Sequence, residues 1–243
     1  MPSRRAHNGS VCGRYAAAKD AAELAGWFRA EQMPVVELPA RYNLTPTSEA
    51  YIVVNEDGER VIETARWGLI PSWSKDATRA SRMINARVET VAEKPAYRAA
   101  FRRRRCLVPA DGYYEWQAGV GARTPKQPFY IHRADGRPLA MAGLFEDWQG
   151  PTGPVRTFTV LTRDAVGSLG RIHDRMPVVV DEDGWEGWLD PSSTQEAVAS
   201  VLEEALLAGD DRLEAYPVST RVNKATNEGP ELRTPIGPPV PVG

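Results

Sequence analysis

INARVETVAEKPAYRAAFRRRRCLVPADGYYEW, residues 84–116, is the stretch whose reading decides the fold, because it passes from an extended start through a helix into two strands. Residues 94–105 predict the helix: Pro95 sits at a tolerated first-turn position, and Tyr97 and Phe101 lie one turn apart on the inner side. The four consecutive arginines Arg102 to Arg105 advance by about 100° per residue and fan over about 300°, most of a turn, so they cannot share one surface. Residues 106–110 and 112–117 then read as strands around an Asp111-Gly112 turn. Alternation puts Glu115 on the face of Tyr113, opposite Tyr114 and Trp116.

Outward from this stretch, residues 16–30 place Leu24, Trp27 and Phe28 at helical spacing and predict an amphipathic helix. Residues 41–46 read as an extended loop, since the residue before a proline is pushed out of the helical region. Residues 51–54 and 61–65, around the turn residues 55–58, predict a hairpin. The run RWGLIPSW at 66–73 combines Gly, Pro and aromatics and predicts a loop displaying Trp67 and Trp73, with ordinary core as the alternative for both rings. A second hairpin is expected from residues 127–132 and 138–145 around Ala134-Asp135-Gly136. A strand at 156–162, a short helix near 164–169, an extended run at 172–180 and a helix at 194–207 follow. Beyond Glu228 the Gly/Pro-rich composition predicts a tail, 229–243, without fixed structure. Strands with helices interspersed unevenly point to an α+β fold, mainly antiparallel sheet with flanking helices, in one domain over residues 12–228.

No apolar run approaches a membrane span, and the opening MPSRRAHNGS lacks the apolar core of a signal peptide, so a soluble, cytoplasmic protein is expected. In that reducing setting Cys12 and Cys106 read as free thiols, and the absence of CxxC or HExxH speaks against a metal site. No cofactor is expected. The net charge of −2 conceals an asymmetry: residues 66–105 hold eleven Lys/Arg against three acids, whereas 181–215 hold eleven acids against Arg212. The basic segment suits a polyanion, although both segments also read as solvated faces.

Cys12, Glu115 and His173 are each residue types with an everyday structural role. Their neighbours raise the functional reading. Asn85-Ala86-Arg87 and His173-Asp174-Arg175 each set a polar orienting side chain two residues from an arginine, a spacing that brings both onto one face of an extended segment.

The blocks VCGRY, RYNLTPT, RWGLIPSW, INARVET, FRRRRCLVPADGYYEW, AGLFEDW, TVLT and IHDRMPVVV, in this order, resemble the SRAP family of abasic-site processing proteins from about Cys12 to Asn227. The resemblance implies a barrel-like sheet core and a monomer that binds single-stranded DNA. It further implies that the protein traps abasic sites covalently as a thiazolidine formed by the α-amine and thiol of an N-terminal cysteine, with weak lyase and self-processing peptidase activities besides. It assigns chemistry to Cys12, Asn85, Glu115 and His173, and DNA contacts to Arg14, Asn43, Pro46, Trp67, Trp73, Arg87 and Arg175. Glu115 would be the general acid/base, His173 the proton carrier on the sugar or phosphate side, Asn85 the orienter of the amine, and the arginines phosphate clamps.

In that family the cysteine directly follows the initiator methionine, whereas MPSRRAHNGSV precedes it here. Either residues 1–11 are therefore expected to be removed, or translation is expected to begin at Val11, a valine being encodable by the bacterial start codon GUG. Two other classes stay open: a thiol peptidase using Cys12 and His173 as nucleophile and base, and a non-covalent single-strand binder.

Overall fold

The computed structural model describes residues 12–119, 125–208 and 212–240. In chain order its strands and α-helices are β1 (Tyr15–Ala17), α1 (Ala21–Phe28), β2 (Arg41–Leu44), β3 (Glu49–Glu56), β4 (Glu59–Trp67), β5 (Asn85–Arg87), α2 (Arg98–Arg103), β6 (Arg105–Ala110), β7 (Gly112–Gln117), β8 (Gln127–Arg133), β9 (Leu139–Gly150), β10 (Gly153–Asp164), β11 (Arg175–Pro177), α3 (Trp185–Leu189), α4 (Gln195–Leu207) and β12 (Leu213–Pro217). The fold is α+β. One sheet runs β12-β8-β7-β1-β2, antiparallel throughout. The other runs β11-β10-β4-β3-β6-β9 and closes on itself, because β10 pairs with β4 on one edge and with β9 on the other. No helix among the described residues is long and apolar enough to cross a membrane.

Period-two alternation sorts the side chains into layers. In β3, Ile52 and Val54 join the core shared with Tyr15, Tyr113 and Phe129 of the five-stranded sheet, while Tyr51 and Val53 face the helices. Against that second face pack Leu24 and Phe28 of α1, Ala100 of α2, Trp185 and Trp188 of α3, and Val198 and Leu202 of α4. The helices α1 and α4 start where capping chemistry puts them. Asp20 and Glu23 form a reciprocal capping box on α1, and the Thr194 side chain accepts from Ala197 N–H on α4.

The β3–β4 hairpin forms as expected. Its turn places Asp57 at φ 53° and Gly58 at φ 94°, the conformation that suits a tight two-residue connection. The other two expected hairpins are corrected. The strands β6 and β7 exist, but Asp111 carries the chain from the closed sheet to the five-stranded one, where β7 pairs with β1 and β8. Likewise β8 and β9 lie in different sheets, β8 beside β7 and β12, β9 beside β6 and β10.

Three further expectations are corrected. The helix expected at 94–105 is shorter, and Arg105 opens β6 with its side chain buried. Its guanidinium donates to the carbonyls of Trp188, Phe101, Arg102 and Asp190, which takes it out of any basic surface. Trp67 ends β4 fully buried, donating to the Ile84 carbonyl at 3.0 Å and packing on Tyr15 and Phe158, so it is core and displays no ring. Finally, residues 229–240 are docked. Leu232 is buried in a cluster with Tyr114 and Tyr130, Ile236 N–H donates to Pro217, and Val240 bridges Ala215. Composition misreads this segment because a few apolar anchors suffice to hold it.

Candidate active site

Glu115 reaches the core through the alternation of β7: Tyr113 faces the inter-sheet core, Tyr114 and Trp116 face the outer cluster, and Glu115 is 3 % exposed. The β1–β7 register pairs Tyr15 with Tyr113, which carries the preceding Gly13 and Cys12 back over Glu115. The backbone nitrogen of Cys12 donates to Glu115 Oε1 at 2.5 Å. Burial pushes the Glu115 carboxyl up to about 8, against the hydrogen bonds from the Cys12 and Trp116 backbones that draw it down, and the charge of Asp174 adds to the rise. At neutral pH it is an acid holding its proton.

Cys12 itself adopts φ 46°, in the left-handed region that side chains other than glycine rarely occupy. Burial, then the nearby Glu115 charge, push its thiol well above the ordinary range. Below it the Tyr15 hydroxyl is buried with no hydrogen-bond partner among the described residues, and burial raises it as well.

The other two expected catalytic residues each follow a residue of the core beneath Cys12. Ile84, before Asn85, and Ile172, before His173, belong to the same buried cluster as Cys12. Asn85 and His173 are half-buried, and Asp174 lies close enough for its charge to act on Glu115. His173 Nδ1 accepts from the Arg175 backbone N–H at 3.1 Å and lies 3.0 Å from Asp174 Oδ1.

The expected DNA contacts divide. Trp73 is 68 % exposed, Arg87 is exposed and Pro46 is half-buried, all open to a ligand. Arg14 is held beside the Trp116 ring, 6.0 Å from its centroid, with Nη1 donating to Asn43 Oδ1 and the Val222 carbonyl. Trp116 is the aromatic that sequence reading left out of the site, and its pairing with Arg14 was visible only through the β1–β7 register. Asn43 is corrected: it is fully buried, its amide nitrogen facing the carbonyls of Val222, Lys224 and Asn227, so it steadies Arg14 and meets no ligand. Arg175 is also corrected. It is buried, with its guanidinium engaged by Glu89, Asp164 and the Thr162 carbonyl, which leaves it no open face for a phosphate. Among the described residues no cluster of His, Cys, Asp and Glu could hold a metal ion.

The SOS response associated peptidase (SRAP) family model matches residues 11–225. The abasic site processing protein YoqW of Bacillus subtilis is 36% identical over 224 residues, covering 91% of this chain and 98% of its own. The abasic site processing protein HMCES of Xenopus tropicalis is 34% identical over 227 residues, covering 80% and 66%. A solved structure of a protein from Bacteroides thetaiotaomicron superposes with a TM-score of 0.77 at 27% identity, covering 92% and 99%. A buried acid set against a cysteine nitrogen, the ordered sequence blocks and these likenesses agree: the chain belongs to the SRAP family.

Proposed function

We propose that this protein processes abasic sites in single-stranded DNA by capturing the open-chain sugar aldehyde as a thiazolidine on Cys12. The observation that carries the reading is the 2.5 Å contact between the Cys12 nitrogen and the buried Glu115 carboxyl. The reactive form begins at Cys12, since an amide nitrogen cannot condense with an aldehyde. The α-amine, which titrates near pH ~8, attacks the aldehyde carbon to give a carbinolamine. Glu115 donates its proton to the carbinolamine hydroxyl, water leaves, and an iminium remains. The thiol sulfur adds to the iminium carbon while its proton passes to the Glu115 carboxylate, which restores the acid and closes the five-membered ring. Asn85 orients the intermediate, and His173 carries protons on the sugar side. Trp73, Arg14 and Arg87 offer stacking and phosphate contacts to the flanking strand.

A thiol-peptidase reading needs a thiolate, and a sulfhydryl raised by burial and by Glu115 is poorly suited to supply one. The test is the intact mass of the protein after incubation with a single-stranded oligonucleotide bearing one abasic site. The expected species is a protein starting at Cys12, joined to the oligonucleotide with loss of one water and resistant to borohydride. A chain still carrying residues ahead of Cys12 that forms the same adduct overturns the reading.

A further inference from the structure

One guanidinium joins the chain segments that carry Asn85, Arg87 and His173. At Thr162, β10 is flanked by β5 on one edge (Arg87↔Thr162) and by β11 on the other (Thr162↔Pro177). The tie across β10 is made by side chains: Arg175 Nη1 and Nη2 donate to Glu89 Oε1 and Oε2 at 2.6 and 3.0 Å, a two-pronged fork. Arg175 Nη2 also donates to the Thr162 carbonyl at 2.6 Å, the same carbonyl that accepts from Val88 N–H at 2.9 Å. Asp164 Oδ1 accepts from Nη1 at 2.6 Å, but Asp164 stands on β10 directly across from Arg175 and adds no new link between segments.

The fork acts on the imidazole through the main chain. Two groups compete for His173 Nδ1: the Arg175 N–H at 3.1 Å favours a ring carrying its proton on Nε2, and Asp174 Oδ1 at 3.0 Å favours a proton on Nδ1. We infer that Glu89 is a positioning residue for His173, its fork with Arg175 setting which ring nitrogen holds the proton and where the ring stands relative to Asn85. This deepens the abasic-capture reading and rests on it for its rate readout only.

The experiment compares Glu89→Gln, Glu89→Asp and Asp164→Asn with the unaltered protein. It records the His173 ring nitrogens by 15N NMR without DNA, the affinity for an undamaged single-stranded oligonucleotide, and single-turnover adduct formation on an abasic one. Both Glu89 variants should move His173 away from the Nε2–H tautomer. They should also slow adduct formation at saturating DNA by about tenfold, the scale on which small misplacement acts, with the undamaged-strand Kd held within about twofold. Glu89→Asp keeps the charge but is too short to meet both Nη groups. Asp164→Asn should leave tautomer and rate unchanged. The inference is overturned if the ring nitrogens do not move in the Glu89 variants, if Glu89→Asp behaves as the unaltered protein, if Asp164→Asn has the same effect, or if weaker DNA binding accounts for the whole rate loss. An unaltered protein that forms no adduct removes the capture reading, and the NMR comparison still decides the role of Glu89.

Discussion

Arg105 and Glu115 are both ionisable groups almost wholly removed from water, and they are treated in opposite ways. Arg105 is surrounded by carbonyl oxygens: Nε, Nη1 and Nη2 meet four of them, and its face lies against Trp188. Burial lowers its proton affinity, with the Asp190 charge opposing, yet its hydrogen bonds are met and it stitches α2 to the loop after α3. Glu115 accepts backbone hydrogen bonds from Cys12 and Trp116, and burial lifts it to about 8. A buried charge whose hydrogen bonds are completed locks structure, whereas one left short of compensation is poised to exchange a proton.

That contrast can be broken in order of effect. Arg105→Ala should cost about 3 kcal/mol or more of stability, because four carbonyls lose their donor, with denaturant unfolding as the check; a loss below about 1 kcal/mol would place Arg105 among ordinary surface charges. Glu115→Gln should slow adduct formation by about 100-fold, ~2.7 kcal/mol in barrier, without unfolding the protein. An unchanged single-turnover rate would remove Glu115 from the proton transfers.

The same variant carries a pH signature. Glu115 binds its proton more tightly folded than unfolded, so its stabilising contribution is complete below about pH 4.5 and is lost as pH rises through about 8. Melting temperature should fall over that window in the unaltered protein, on the order of 5 kcal/mol in stability, and flatten in Glu115→Gln. A parallel fall in both proteins would assign the titration to another group. The smallest effect separates binding from chemistry: Trp73→Ala should weaken single-strand affinity by about 1–2 kcal/mol through lost stacking while leaving the rate at saturation intact. Gel-shift titration alongside single-turnover kinetics measures both.

Much of this was legible in sequence wherever the signal is local. The β3–β4 hairpin follows from its turn residues, α4 from its apolar spacing, and the face that Glu115 shares with Tyr113 from strand alternation. Pairing partners were not legible. Asp111-Gly112 and the 134–136 turn look like hairpin connections, but each hands the chain from one sheet to the other, and nothing in a few residues records which strand waits there. The polar side chains were misplaced for the same reason. Arg105, Arg175 and Asn43 carry surface chemistry in their composition, and only distant carbonyls and carboxylates make them internal. Cys12, three residues ahead of β1, and Glu115 on β7 meet through the β1–β7 register, a long-range pairing that no local pattern in the sequence records.

The docked segment after β12 bears on how the protein can be handled. Leu232 packs on Tyr114, on the back of the strand that bears Glu115, and on Tyr130 of β8, Arg233 Nη1 donates to Asp111 Oδ2, and Ile236 N–H donates to the Pro217 carbonyl. Trimming the polypeptide at residue 228, or fusing a bulky affinity tag there, would therefore strip a brace from directly behind the reactive centre. Expression designs that keep residues through Val240 preserve that brace, and any loss of cross-linking in a shortened version should first be ascribed to it.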